Sequence, residues 1–157
     1  TVDETNSTIG MVRVHLGDSE PRVDAMLVRI QNDLFDLGAD LCVPDRGQKL
    51  PYEPLRMSEA QVSRLESEID EMNADLQPLR SFILPGGKPA AAALHVSRTV
   101  ARRAERLMVE LAADADEPVS KIGLKYINRL SDFLFVAARY VNDHGKSDVL
   151  WVPGQNR

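Results

Sequence analysis

The sequence predicts an all-α protein, a five-helix bundle with mostly antiparallel neighbours, and three observations carry that expectation. Apolar residues recur at intervals of three and four along five separate stretches. Pro and Gly concentrate in the breaks between those stretches, around Gly17–Pro21, Pro44–Pro54 and Pro85–Pro89. No segment alternates apolar and polar residues with the period of two that a half-buried strand requires. At 157 residues the chain is long enough to bury a core without disulfides or metal, and it reads as one domain over 1–157, with no internal repeat.

Residues 1–16 read as a first helix, with Val2, Ile9, Val12 and Leu16 on one side. A turn at Gly17-Asp18-Ser19 follows, and Pro21 suits the opening turn of a second helix. That helix spaces Val23, Leu27, Ile30, Leu34, Leu37 and Leu41 as a bundle seam. Residues 42–57 hold Pro44, Gly47, Pro51 and Pro54 and are expected to be a long irregular connection. Ser58 with Gln61 forms a capping box, from which a third helix runs to about Leu79, with Val62, Leu65, Ile69, Met72 and Leu76 inward. Pro89 can begin a fourth helix, whose expected buried stripe is Ala93, Val96, Val100, Ala104, Leu107 and Leu111. Asp114 to Pro118 is a turn. The fifth helix is expected over about Val119 to Asn142, with Ile127, Leu130, Leu134, Ala137 and Val141 inward. Gly145 ends it, and the tail from Trp151 to Gly154 looks irregular.

The composition is ordinary for a soluble globular protein, 43% apolar and 27% charged, with a net charge of -5. The single Cys42 excludes an intramolecular disulfide and a multi-Cys zinc site, and fits a reducing compartment. No apolar run approaches the roughly 20 residues needed to cross a bilayer. The expected location is therefore cytoplasmic, or the mitochondrial matrix in a eukaryote. The chain starts at Thr1 with no Met and enters a helical pattern at once, so a further segment is expected upstream.

Chemistry concentrates in Ser97-Arg98-Thr99-Val100-Ala101-Arg102-Arg103-Ala104-Glu105-Arg106. In a helix Arg98, Arg102 and Arg106 share one face, about 12 Å from end to end. Like charges at this spacing oppose helix formation by roughly 0.2–0.5 kcal/mol per pair, so an anion is expected opposite them. In an acidic chain such a local column fits a small anionic ligand better than a nucleic-acid backbone. Arginine suits the task because its planar fork binds carboxylate or phosphate in bidentate fashion. A salt-bridged surface face is the structural alternative. His95 and Glu105 border the column. Asn128 and Asp132 lie four apart on the fifth helix, with Lys125 a turn earlier. Asp3, Glu4, Asn6 and Ser7 crowd the start of the first helix, more than capping requires.

Other sites are discounted. Leu84-Pro85-Gly86-Gly87-Lys88-Pro89 fails the phosphate-loop pattern, although a Gly-Gly turn before a helix could shape a pocket or bind an anion. There is no Glu-x-x-His pair for a di-iron centre, and three scattered histidines do not make a zinc site, so no metal ligands are assigned.

Four blocks then appear in order: Thr1-Val2-Asp3-Glu4-Thr5-Asn6-Ser7, Phe82-Ile83-Leu84-Pro85-Gly86-Gly87, the arginine run, and Tyr126-Ile127-Asn128-Arg129-Leu130-Ser131-Asp132-Phe133-Leu134-Phe135. Together they resemble the PduO-type ATP:cob(I)alamin adenosyltransferases over nearly the whole chain. The resemblance implies a homotrimer with active sites between subunits, binding ATP with Mg²⁺ and reduced cobalamin. It implies attack of Co(I) on the 5′ carbon of ATP, giving adenosylcobalamin and triphosphate. By motif position Arg102 looks like the main triphosphate contact, with Glu105, Asn128, Arg106, Asn6 and Asp132 among the residues implied to hold the nucleotide or corrinoid. Arg98 looks like the partner of Asp3 in a salt bridge across the subunit interface. Phe82 looks like the aromatic that crowds the lower face of the corrin and drives off its axial ligand. The family also carries a Gly- and Thr-rich segment that wraps the phosphates, upstream of the first helix and outside these residues. An alternative is a non-catalytic corrinoid carrier that delivers cofactor to a B12-dependent mutase. A structural module with a salt-bridged face would bind no ATP. No nucleic acid or membrane partner is implied.

Overall fold

The computed structural model describes residues 1–157 and contains five helices: α1 (Val2–Leu16), α2 (Pro21–Cys42), α3 (Glu59–Asn73), α4 (Pro89–Ala112) and α5 (Lys121–Tyr140). The only extended pairing is an isolated antiparallel bridge between Ile83 and Leu150. No helix is long and apolar enough to cross a membrane. Around the bundle the order is α3, α5, α4, α1, α2, each packed on the next.

The polar ties give the helix directions. Arg13 pairs with Asp24 and the Asn6 amide donates to the Gln31 carbonyl, so α1 and α2 run antiparallel. Arg22 with Glu71, Arg29 with Glu68 and Arg64 with Asp33 make α2 and α3 antiparallel. Asn128 reaches Glu105 while Phe135 meets His95, which sets α4 against α5 in the same sense. Lys125 with Glu59 and Arg129 near Glu66 show that α3 and α5 run parallel. The starts of α1, α3 and α5 therefore share one end with the C-terminal half of α4.

Between α2, α3 and α5 the chain buries a carboxylate. Asp33 accepts from the Tyr126 hydroxyl at 3.0 Å and from Gln61 Nε2 at 3.0 Å, and pairs with Arg64. Burial, reinforced by Asp33, raises the Tyr126 pKa well above the usual phenol value, so the hydroxyl remains a donor at neutral pH. Gln61 also completes the capping box, accepting from Ser58 N at 2.9 Å. The long connection after α2 is anchored by Asp40, whose two oxygens accept from Arg56 Nη1 at 2.8 Å and from Met57 N at 2.9 Å.

Three expectations need correction. The third helix ends at Asn73, not near Leu79. Pro78 has no N–H to donate and its ring disfavours helical backbone at Gln77, so Leu76 reaches the core from a turn instead. The fifth helix is shorter at both ends, capped by Ser120, whose hydroxyl accepts from Gly123 N. The stripe of α4 is rotated: Val100 and Ala104 are buried as expected, but Val96 is 55% exposed and Leu107 is 46% exposed, and Leu111 is exposed too. Ala91, Leu94, Ser97, Ala101 and Met108 face inward in their place. Small side chains on that face let α4 lie close to both α1 and α5, and volume outweighs hydropathy in setting the rotation. Ser97 tolerates burial because its hydroxyl donates to the Ala93 carbonyl.

Tyr126→Phe removes one hydrogen bond from a carboxylate that retains two partners, and is expected to lower stability by about 1 kcal/mol. Asp33→Ala strands both the buried hydroxyl and Arg64, with an expected loss of about 3 kcal/mol. Urea denaturation of both variants checks the order; a larger loss for Tyr126→Phe would show that Asp33 is not the hub.

Candidate active site

The antiparallel α4–α5 pair and the linker before α4 enclose a cleft of about 240 Å³, lined by Phe82, Arg98, Arg102, Ser131, Asp132 and Phe135. Hollows of similar or greater size lie elsewhere, for example beside Tyr140 and His144, but none of them contains the arginines of α4.

The charge balance of α4 is uneven. Arg103, rotated about 100° from Arg102, pairs with Glu4 at the start of α1. Arg98, Arg102 and Arg106 form no ion pair within the chain. Arg98 is half-buried and its Nε is both buried and without a hydrogen-bond partner. Burial, with the neighbouring Arg102 as a second cause, lowers the Arg98 pKa from its ordinary value. Both causes reflect a cation held without its anion, since an adjacent carboxylate would act in the opposite direction.

Along the lip, α5 supplies a polar chain. Asn128 Nδ2 donates to Glu105 Oε1 at 2.7 Å, and Arg129 donates to Asn128 Oδ1 at 2.9 Å and to Asp132 Oδ2 at 3.0 Å. Glu105 and Asn128 are thus brought together beside the cleft, while Asp132 lines it. Arg106 is exposed one turn beyond. At the other end His95 is 5% exposed, lies edge-on to Phe135 at 6.3 Å, and has a buried Nδ1 with no partner. Burial first and Arg98 second lower its pKa, with Asp148 opposing, so it is a neutral imidazole at pH 7.

Phe82 is 75% exposed, and its ring sits 6.0 Å from that of Trp151. The tail, expected to be irregular, pairs with the linker: Leu84 N donates to the Val149 carbonyl at 2.8 Å and Trp151 N to the Phe82 carbonyl at 2.7 Å. Two expected residues lie away from the cleft. Asp3 is exposed and unpaired within the chain, and it does not meet Arg98 there. Asn6 is 6% exposed and turned between α1 and α2, donating to the Gln31 carbonyl at 3.0 Å, with its Oδ1 unpartnered. The Gly86-Gly87 turn shapes structure: a Cβ at Gly87 (φ +100) would fall 2.5 Å from Asn142 Oδ1. That same oxygen accepts from Lys88 N.

Sequence reasoning missed Ser131, Phe135, Arg129 and Trp151. The first three share a helical face or a neighbouring position with Asn128 and Asp132, so spacing alone could have found them. Nothing local marks Trp151, because its partner lies 69 residues earlier, at Phe82. The arrangement couples an anion-hungry arginine pair to an exposed aromatic platform, with a buried neutral histidine at one end.

Because its folded pKa is lowered, His95 binds fewer protons in the folded chain than in the unfolded one below about pH 6.5. Stability is therefore expected to fall as pH drops through that value, and His95→Gln to flatten the decline. Thermal melts across this range check it; identical slopes in both proteins would refute the assignment.

The cobalamin adenosyltransferase family profile matches residues 1–141. A corrinoid adenosyltransferase of Mycobacterium leprae is 47% identical over 154 residues, covering 97% of this chain and 79% of that protein. One from Bacillus subtilis is 42% identical, covering 90% and 71%. A variant PduO-type ATP:corrinoid adenosyltransferase from Lactobacillus reuteri, solved with cobalamin and ATP, superposes with a TM-score of 0.84 at 37% identity, over 97% of this chain and 80% of that one. With a profile match over most of its length, and such identity to proteins it largely spans, this chain belongs to the cobalamin adenosyltransferase family.

Proposed function

We propose that this protein transfers the 5′-deoxyadenosyl group of ATP to the cobalt of reduced cob(I)alamin, giving adenosylcobalamin and triphosphate. The observation that carries the reading is the arginine column of α4, unpaired within the chain, beside the exposed Phe82. The cobalt electron pair forms the bond to C5′ as the C5′–O bond breaks, and triphosphate departs with the bonding electrons. What the protein must supply is orientation and a fixed positive field for the leaving polyanion. Arg102, lining the cleft, is assigned to the triphosphate, with Arg106 one turn further along the same face. Glu105, Asn128 and Asp132 are assigned to holding the nucleotide; Asn6, turned between α1 and α2, is given no contact with it. No three His, Cys, Asp or Glu side chains gather as a metal cage, so Mg²⁺ would arrive bound to the phosphates and help neutralise them.

Phe82 is assigned to the lower corrin face, where an exposed aromatic edge would exclude an axial ligand and ease reduction of cobalt. The reading includes a homotrimer with sites between subunits. Arg98 and Asp3 each lack an ion-pair partner in the chain, and Met11, Val14, Val96, Leu107 and Leu111 of α1 and α4 leave apolar surface exposed, as an interface needs.

An anaerobic assay with ATP, Mg²⁺ and chemically reduced cobalamin, followed by absorbance, tests the activity. Arg102→Ala is expected to lower kcat/KM about a hundredfold or more, without altering the assembly. Corrinoid binding without product from the wild-type chain would overturn the transferase reading in favour of a carrier. For the interface, Arg98→Asp and Asp3→Arg are each expected to dissociate the trimer in light scattering. The double charge swap is expected to restore it; a monomeric wild type would overturn the assembly.

A further inference from the structure

The buried ion pair of Arg139 and Asp148 has no part in the reaction chemistry, yet it is the best-enclosed pair in the molecule. Both side chains are more than nine-tenths buried, and Arg139 Nε donates to Asp148 Oδ2 at 2.9 Å. Arg139 Nη2 also donates to the Gln77 carbonyl at 2.9 Å, at the start of the linker that carries Phe82. Asn142 Nδ2 donates to the other Asp148 oxygen at 3.0 Å, and Asn142 Oδ1 accepts from Lys88 N at the end of that linker. One cluster therefore clamps the linker at both ends and the tail just before residue 149.

Backbone conformation is shaped around the clamp. Asp143, His144 and Gly145 are consecutive left-handed residues, with φ of 57°, 53° and 79°. Two of the three are not glycine, a conformation that persists only where the surroundings enforce it. A Cβ at Gly145 would stand 3.0 Å from Arg139 Nη2, and one at Gly87 would enter the Asn142 amide. The chain reverses here so that Asp148 returns to Arg139 and the next three residues lie along Phe82. Ser81 Oγ then donates to the Trp151 carbonyl at 2.8 Å, completing the short ladder.

We propose that the Arg139–Asp148–Asn142 cluster is a latch that fixes the tail against the linker and so positions Phe82, through Trp151, toward the corrinoid. This rests on the reading of the cleft given above. Phe82 is mostly exposed, so the body of the bundle does not hold its ring; the latched tail does. Asp148 and Arg139 are positioning residues, which touch the reacting groups only through Phe82 and Trp151.

Trp151 is the chain's single tryptophan, so its fluorescence reports the latch without any ligand. In Asp148→Asn, with helix content unchanged by circular dichroism, acrylamide quenching of Trp151 is expected to rise about twofold as the indole leaves its neighbours. The KM for corrinoid is expected to rise about tenfold while that for ATP stays constant. Combining Asp148→Asn with Phe82→Ala is expected to be no worse than Phe82→Ala alone, since both remove the same placement. Unchanged quenching would overturn the proposal, as would a parallel rise in both KM values or additive losses in the double variant. Should Asp148→Asn unfold, Trp151→Ala, which leaves the buried pair intact, is expected to reproduce the corrinoid-specific KM shift; its absence overturns the proposal. A wild-type chain without transferase activity would count against the function instead, and the latch would stand or fall on quenching alone.

Discussion

A half-buried arginine without an anion is the constraint around which this bundle is organised. Arg98 lies partly inside the protein with its Nε sealed from solvent, and Arg102 repeats its charge one turn along. A chain that gained only from its own folding would place a carboxylate there, as it does for other cations. Arg13, Arg29, Arg56, Arg64, Arg103 and Arg139 each meet an Asp or Glu. Other cations without an ion pair, Arg80, Arg157, Lys49, Lys121 and Lys146, are exposed, whereas Arg98 is half-buried at the head of a column of three. Because the chain is acidic overall, a shortage of carboxylates does not explain it. What completes the electrostatics of that face has to come from outside the chain.

The remainder of the fold holds this face rigid. Asp33 ties α2, α3 and α5 through Tyr126, Gln61 and Arg64, so α5 cannot rotate without breaking a buried network. The rotation of α5 in turn fixes Asn128 and Asp132 on the lip of the cleft. Small residues on the inner side of α4 seat it between α1 and α5 and turn the arginines toward the opening. Along the lip Asn128 ties α5 to Glu105 of α4, which suits a site that must bind a polyanion without being reorganised by it.

Beside the charged surface the protein exposes aromatic area that a solitary folded domain has no use for. Phe82 and Trp151 face each other across segments far apart in sequence, and the exposed apolar residues of α1 and α4 lie on other surfaces. Charge and aromatic surface in adjacent halves of one cleft match a reaction between a polyphosphate and a large flat ring. Neither half requires a general acid or base, and burial keeps His95 neutral at the end of the cleft.

By itself the sequence determined the number and order of the helices, the position of most breaks, the capping box at Ser58, the seam of α2 and the arginine column. All of these are local: they follow from i,i+3 and i,i+4 periodicity, from Pro and Gly, and from hydrogen bonds between near neighbours. The four sequence blocks also carried the family. Only the tertiary structure decided which face of α4 is buried, that Asn6 turns toward α2, and that the tail pairs with the linker to set Trp151 beside Phe82. Periodicity fixes which residues share a face, but it leaves the rotation of that face to the volumes of neighbouring helices. A contact between residues 82 and 151 is equally invisible locally, because it depends on a buried ion pair returning the chain after three left-handed residues.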